Sequence, residues 1–179
     1  MQERDIAGDL AAMRAEFERA FAEPRRAERE EPESLVAVRI AGAPYAFRIK
    51  ELTGIAVGRR VVKLPSDVPA MVGLAGVQGR LVPVWSLAAL MGIPSTEQQN
   101  QWIALCGQAD QVGLAFEKID GYLQVSPASI VPFVAQDTSR ELVKELLRAD
   151  GAVRPILAVP CVIDTIRRQA AAARPAKER

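Results

Sequence analysis

The chain has 179 residues, a formal net charge of +1, 49% apolar residues and 5% aromatic ones. That describes one ordinary domain, or two small subdomains, with an aliphatic core and no general pull toward nucleic acid or an anionic membrane. No apolar run approaches the ~18 residues of a membrane span, the start MQERDIAGDL is too charged for a signal peptide, and the absence of histidine excludes Ser-His-Asp and Cys-His catalysis; the expectation is a soluble, cytoplasmic chain.

Residues 1–23 place Ile6, Leu10, Met13, Phe17 and Phe21 at helical spacing, which predicts an amphipathic helix with one apolar stripe. Such a helix either packs on its own domain or docks on a partner through Leu10, Met13, Phe17 and Phe21. Pro24 to Ser34 (PRRAEREEPES) is a charged, proline-bounded linker with nothing to bury, so residues 1–34 form a helix-plus-linker segment. That segment is net acidic and residues 165–179 are net basic. The two ends attract each other or a partner, or are simply two solvated termini.

From Leu35 the pattern changes to strands. Leu35–Ile40 and Tyr45–Ile49 predict a hairpin about Ala41-Gly42-Ala43-Pro44. Lys50-Glu51-Leu52 is a short helical step or turn. Ile55–Leu64 predicts a strand broken at Gly58-Arg59-Arg60, and Pro65–Pro69 a loop. The stretch Met71–Gly92 (MVGLAGVQGRLVPVWSLAALMG) reads as strand, tight turn, strand and short helix. Gly79 supplies a positive φ in the turn Gln78-Gly79-Arg80. Leu81–Trp85 is nearly all apolar, as expected of a strand buried on both faces. Pro83 removes one ladder donor, so this strand is expected at an edge or bulged there. Ser86 stands where a helix N-cap would, and Gly92 at the C′ end.

Ile93–Gln101 is a polar loop. Trp102–Cys106 and Val112–Ile119 predict two strands, and Gly121–Val125 a further one. Ile130–Val134 is an apolar patch at a partly exposed edge. Ser139–Ala149 fits either a helix or a strand, since short apolar runs are ambiguous. Asp150-Gly151 is a hairpin signal. Pro160 sits at the preferred N1 position of a helix over Cys161–Ala173, stopped by Pro175. Cys106 and Cys161 lie in apolar runs, as reduced buried thiols do, and two cysteines without histidine make no metal site. About nine or ten short strands in two halves of similar pattern suit small closed barrels better than an open sheet.

The central stretch resembles the signature of CheW-like domains, coupling modules of bacterial chemosensory arrays. Gly73, Leu74, Val77, Gly79, Leu81, Val82, Pro83, Val84 and Leu87 match that pattern. Gly76 replaces its usual Asn, Gln78 its Arg and Ser86 its Asp. Upstream, Ile49, Leu52 and Ile55 match and Gly54 stands at the position of the family's acid, so the apolar and glycine frame is kept while polar positions have changed. The resemblance implies a mainly β fold of two small five-stranded barrels over residues 35–168, flanked here by an N-terminal and a C-terminal helix and a basic tail at 169–179. It also favours a strand around Val143–Leu147.

The resemblance further implies an adaptor, not an enzyme, that binds the regulatory domain of a CheA-type histidine kinase and the cytoplasmic tip of a methyl-accepting chemoreceptor, without cofactor, nucleic acid or direct membrane insertion. The expected partner-binding residues are Val77, Gln78, Gly79 and Arg80 on the turn, with Leu52 and Gly54. Gln78 cannot carry the forked, charged contact of an arginine, and Arg80 beside it is either a partial substitute or an ordinary exposed arginine. The joint absence of an acid at 54 and a base at 78 is what loss of an ion pair would leave. Residues 73–79 form GxxGxxG, not the dinucleotide-binding GxGxxG. The alternatives are a divergent relative that has lost one partner and binds a dedicated one through the first helix, and, from another class, a small-barrel nucleic-acid binder, for which aromatic and basic residues are scarce.

Overall fold

The structure, a computed structural model, describes residues 31–94, 102–108, 110–134, 141–149 and 151–173. The chain divides into two units after Glu31, and the fold here is that of the second. The helix expected over 1–23, with Leu10, Met13, Phe17 and Phe21, lies outside the described residues, as does the tail beyond residue 173.

Among the described residues, twelve strands form two sheets of six. Sheet A contains β1 (Glu33–Ile40), β2 (Ala43–Arg48), β9 (Lys118–Val125), β10 (Ile130–Pro132), β11 (Val143–Ala149) and β12 (Ala152–Leu157), in the order β10-β11-β12-β2-β1-β9. Sheet B contains β3 (Gly54–Val57), β4 (Val61–Val62), β5 (Met71–Val77), β6 (Arg80–Ser86), β7 (Trp102–Cys106) and β8 (Val112–Phe116), in the order β3-β7-β8-β6-β5-β4. Among the described residues there are two α-helices, α1 (Leu87–Leu90) and α2 (Val159–Ala172). The two β subdomains with a C-terminal helix follow the expected architecture. Each sheet has one strand more than five because β4 and β10, of two and three residues, join its edge.

The period-2 alternation of strands sorts the side chains into three cores. On β7, Ile103 and Leu105 point into sheet B, while Ala104 and Cys106 point toward the other sheet. The cluster inside sheet B takes Ala56, Ala75, Val77, Val82, Val84, Ile103, Leu105 and Ala115 from five strands, as a curled sheet requires. Leu35, Ala46, Leu147 and Ile156 fill sheet A in the same way. The largest cluster lies between the two sheets, where Phe47 of β2 meets Phe116 of β8 with ring centroids 6.1 Å apart, alongside Trp85, Leu87, Leu114 and Leu157. Such an aromatic pair adds about 0.5–1.5 kcal/mol beyond its buried area. The α2 residues Val159, Val162 and Ile166 close this core.

The path between sheets explains where the structure departs from the sequence reading. The run Val112–Ile119 is two strands: β8 lies in sheet B and β9 in sheet A, with the crossing at Glu117. There the Glu117 amide donates to the Arg39 carbonyl at 3.1 Å, and Glu117 Oε2 accepts from the Gly42 amide at 2.8 Å. The crossing falls on the charged pair Glu117-Lys118, which the exposed positions of one continuous strand would also accommodate, so the pattern does not separate the two strands. Ile55–Leu64 divides at Gly58-Arg59-Arg60 into β3 and β4, which pair with β7 and β5 at opposite ends of the sheet B order. This three-residue link therefore joins the two edges and closes the sheet on itself. The ambiguous residues 143–149 are a strand. The patch at 130–134 is an edge, with Val134 86% exposed.

Candidate protein-docking site

The expected contact turn is a two-residue hairpin. Val77 pairs with Arg80, and the loop residues Gln78 and Gly79 have φ 51° and 76°. Two successive left-handed residues match the right-handed twist of the flanking strands, the usual solution for so short a loop. Glycine adopts that conformation freely, whereas Gln78 does so against its Cβ.

The structure separates the expected site residues. Gln78, Gly79 and Arg80 are exposed at the tip, whereas Val77 is buried inside sheet B, anchoring the hairpin from below. Leu52 follows the 3-10 turn Ile49–Glu51 and packs, half-buried, against the core between the sheets. Gly54 opens β3 opposite Leu105, and a side chain there would first meet Leu105 Cδ1 at 3.5 Å, an ordinary contact. A side chain at Gly76 would meet nothing within 4 Å. The polar positions that depart from the family pattern are thus open to side chains, and steric crowding does not account for the glycines at 54 and 76.

β6 is neither an edge strand nor buried on both faces along its length. It lies between β5 and β8, and its parallel pairing with β8 begins at Val84, just past Pro83. The proline therefore costs no bond to β8, and the register shift sits on the facing strand β5, between Met71 and Gly73. Beyond Pro83 the outer face is covered by the other subdomain, so Trp85 is 4% exposed in the core between the sheets. Its Nε1 is buried without a hydrogen-bond partner. Before Pro83 the outer face is open, and Leu81 is 75% exposed. Ser86 caps α1, its Oγ accepting from the Ala89 amide at 3.3 Å.

The open half of β6 belongs to an apolar row that the sequence reading missed. Val62 of β4 stands opposite Leu74 of β5, and Leu74 opposite Pro83 of β6. Leu81 lies one step along the same face, opposite Gly76. Val62 is 58% exposed, and Leu64, two residues on, is also exposed. The signal for this face was the alternation of Val62 with Val61, which packs inward; the unbroken apolar run of β6 obscured it. An aliphatic row beside a rigid hairpin tip is suited to shape-matched docking of another protein.

Neither thiol is in a disulfide; Cys106 is buried and Cys161 half-buried. Among the described residues, no three cysteine or carboxylate side chains are placed to hold a metal ion, and no helix is long and apolar enough to cross a membrane.

Comparison with known proteins points one way. The model of the CheW-like domain matches residues 34–167. The chemotaxis protein CheW of Thermotoga maritima is 23% identical over 122 residues, covering 68% of this chain and 81% of that protein. The crystal structure of the scaffolding protein TtCheW from Thermoanaerobacter tengcongensis superposes with a TM-score of 0.63 at 20% identity, over 71% of this chain and 89% of that one, a likeness of fold.

Proposed function

The chain belongs to the family of CheW-like domains, and from that premise we propose that it is a non-enzymatic cytoplasmic adaptor that couples a chemoreceptor to a CheA-type histidine kinase. Its place among chemotaxis scaffold proteins is a family property; the two partners are our reading. The observation that carries it is the outer-face row Val62, Leu74, Leu81 and Pro83, exposed at Val62 and Leu81 and half-buried at Leu74 and Pro83, beside the hairpin tip Gln78-Gly79-Arg80. A few apolar anchors inside a polar rim are what a coupling interface needs. On this reading the outer face of β4–β6 docks on one partner. The tip, with Leu52 and Gly54 on the segment between the sheets, shapes the approach of the other.

A second reading keeps the fold and one partner only. Its support is the replacement of the signature's polar residues by Gly54, Gly76 and Gln78 at positions that have room for side chains. The lost contact is then replaced by a dedicated partner, engaged through the stripe Leu10, Met13, Phe17 and Phe21.

Co-elution of the purified chain with the kinase's regulatory domain, and separately with a receptor's cytoplasmic hairpin from the same organism, tests both. Binding to both supports the two-partner coupler. Binding to one alone supports the second reading, and binding to neither overturns the first.

A further inference from the structure

A cavity of about 460 Å³ opens between three elements: the loop that leads into β5, the short helix α1 and the C-terminal end of α2. Its wall is small and apolar, with Pro69 and Ala70 on the loop, Ala89 on α1, and Ala172 and Ala173 at the end of α2. An alanine carries nothing beyond its Cβ to fill such a space. The loop side is fixed in place. Val68 and Ala70 are buried in the core between the sheets, the Val68 carbonyl accepts from the Met71 amide at 3.0 Å, and the Ala70 carbonyl accepts from the Ser86 amide at 2.8 Å. Two features of the rim are negative and lack a counterion. Asp67 lines the cavity, is exposed, and its carboxylate forms no ion pair among the described residues. The other feature is the carbonyl end of α2, whose last turn has no basic side chain. Arg167 and Arg168 stand one turn back and engage Asp164 and Glu141 instead.

We propose that this cavity receives an arginine or lysine side chain of a partner protein. The aliphatic stem lies along the alanine wall, and the charged head sits between Asp67 and the carbonyl end of α2. Both parts of the cavity select for this chemistry. Arginine and lysine are the side chains that join a long apolar stem to a positive head. A neutral apolar side chain would leave Asp67 and the helix end without a counterion, and an acidic one would be repelled by both. None of the residues of the β4–β6 row lines this cavity, so the proposal stands apart from the docking face described above and does not depend on which of its two readings holds.

The test titrates the isotope-labelled full chain with the peptide acetyl-Ala-Arg-Ala-amide, with its citrulline counterpart, which keeps the shape without the charge, and with free arginine. The readout is the amide shifts of Asp67, Ala70 and Ala172. The arginine peptide should give saturable shifts there, and the citrulline peptide should bind about threefold more weakly or worse, the scale of a partly exposed ion pair. Asp67→Asn should bring the arginine peptide down to the citrulline level while leaving the melting temperature unchanged. Ala172→Leu, at an exposed position, should fill the cavity and abolish binding of both peptides. Equal binding of the two peptides would overturn the cation. Tighter binding of free arginine than of the peptide would overturn a protein segment as the occupant. Shifts that emerge only once Arg174, Lys177 and Arg179 are replaced by alanine would assign the cavity to the chain's own tail and overturn the partner. No saturable shift in any of these chains would overturn the site itself.

Discussion

Glu51 and Val159 are 108 residues apart in sequence, and one hydrogen bond joins them: the Val159 amide donates to Glu51 Oε2 at 3.0 Å. Val159 opens α2, and the preceding residue, Ala158, has no side chain with which to cap it. The carboxylate thus supplies the cap from the 3-10 turn that leads out of sheet A, and places a negative charge at the positive end of the helix. Glu51→Ala should cost about 1–2 kcal/mol, and Glu51→Gln less, because the amide oxygen still accepts the bond. Urea unfolding of the two variants measures the difference.

Trp85 fills the core between the sheets, yet its indole N–H has no partner. A stranded buried donor costs about 1–3 kcal/mol. Trp85→Phe removes the donor and keeps most of the ring, so its net cost should stay under about 1.5 kcal/mol. Trp85→Ala leaves a cavity and should cost about 3–5 kcal/mol. A Phe variant as unstable as the Ala variant would show that the indole's full volume, not its N–H, dominates.

Closure of sheet B brings the backbone of β4 onto β5 at Gly73. This residue has φ 148°, and a Cβ there would lie 2.1 Å from the Val62 carbonyl oxygen. Gly73→Ala should therefore destabilise by about 3 kcal/mol or more. At the hairpin tip the sign reverses. Gln78 holds φ 51°, which Asn tolerates better, so Gln78→Asn should stabilise by about 0.5–1 kcal/mol. Thermal melting of the two variants should move in opposite directions.

Glu33 at the start of β1 accepts from Lys50 Nζ at 2.7 Å and from Arg48 Nε at 3.2 Å. The Lys50 hydrogen bond, with Arg48 adding to it, holds its carboxyl below the ordinary value of 4.5. A lowered native value means that the stabilisation is complete above the unfolded pKa and is lost as pH falls through the native one. Stability should decline on acidification below about pH 4.5, and Glu33→Gln should flatten that acid limb by lowering its neutral end, the two chains converging at low pH.

The two thiols should behave differently. Burial, with the Glu51 charge adding to it, pushes Cys106 up to about 12, while Cys161 is half-buried on α2. At pH 8 a thiol reagent should label Cys161 in the native chain and Cys106 only in denaturant. Above about pH 8.5 the unfolded chain loses the Cys106 proton that the native chain keeps, so stability should fall as pH rises there.

Much of this molecule could be read from local chemistry. Gly79 and Ser86 announced the hairpin and the helix cap because each residue type does something there that few others can. The strand at 143–149 came from resemblance alone, since Leu142 and Leu146 suit a helix as well as a strand. The crossing at Glu117 was illegible because the charged pair Glu117-Lys118 suits an exposed point of one continuous strand as well as a break between two. The exposure of Leu81 was illegible because a strand covered along half its length has no periodicity to show it.

Sheet B is made from one continuous stretch, β3 to β8, whereas sheet A is assembled from both sides of it: β1 pairs with β9, and β2 places Ala46 beside Ile156 of β12. During synthesis, β1 and β2 leave the ribosome first but have no complete set of neighbours until the last strands emerge. Sheet B has all its strands earlier and can close while sheet A is still a hairpin. The two halves therefore differ in contact order although each has six strands, and the slow step of folding falls on the half that holds both ends of the domain. Until β12 and α2 arrive, the apolar faces of β1 and β2 have only sheet B and the edge strand β9 to rest on.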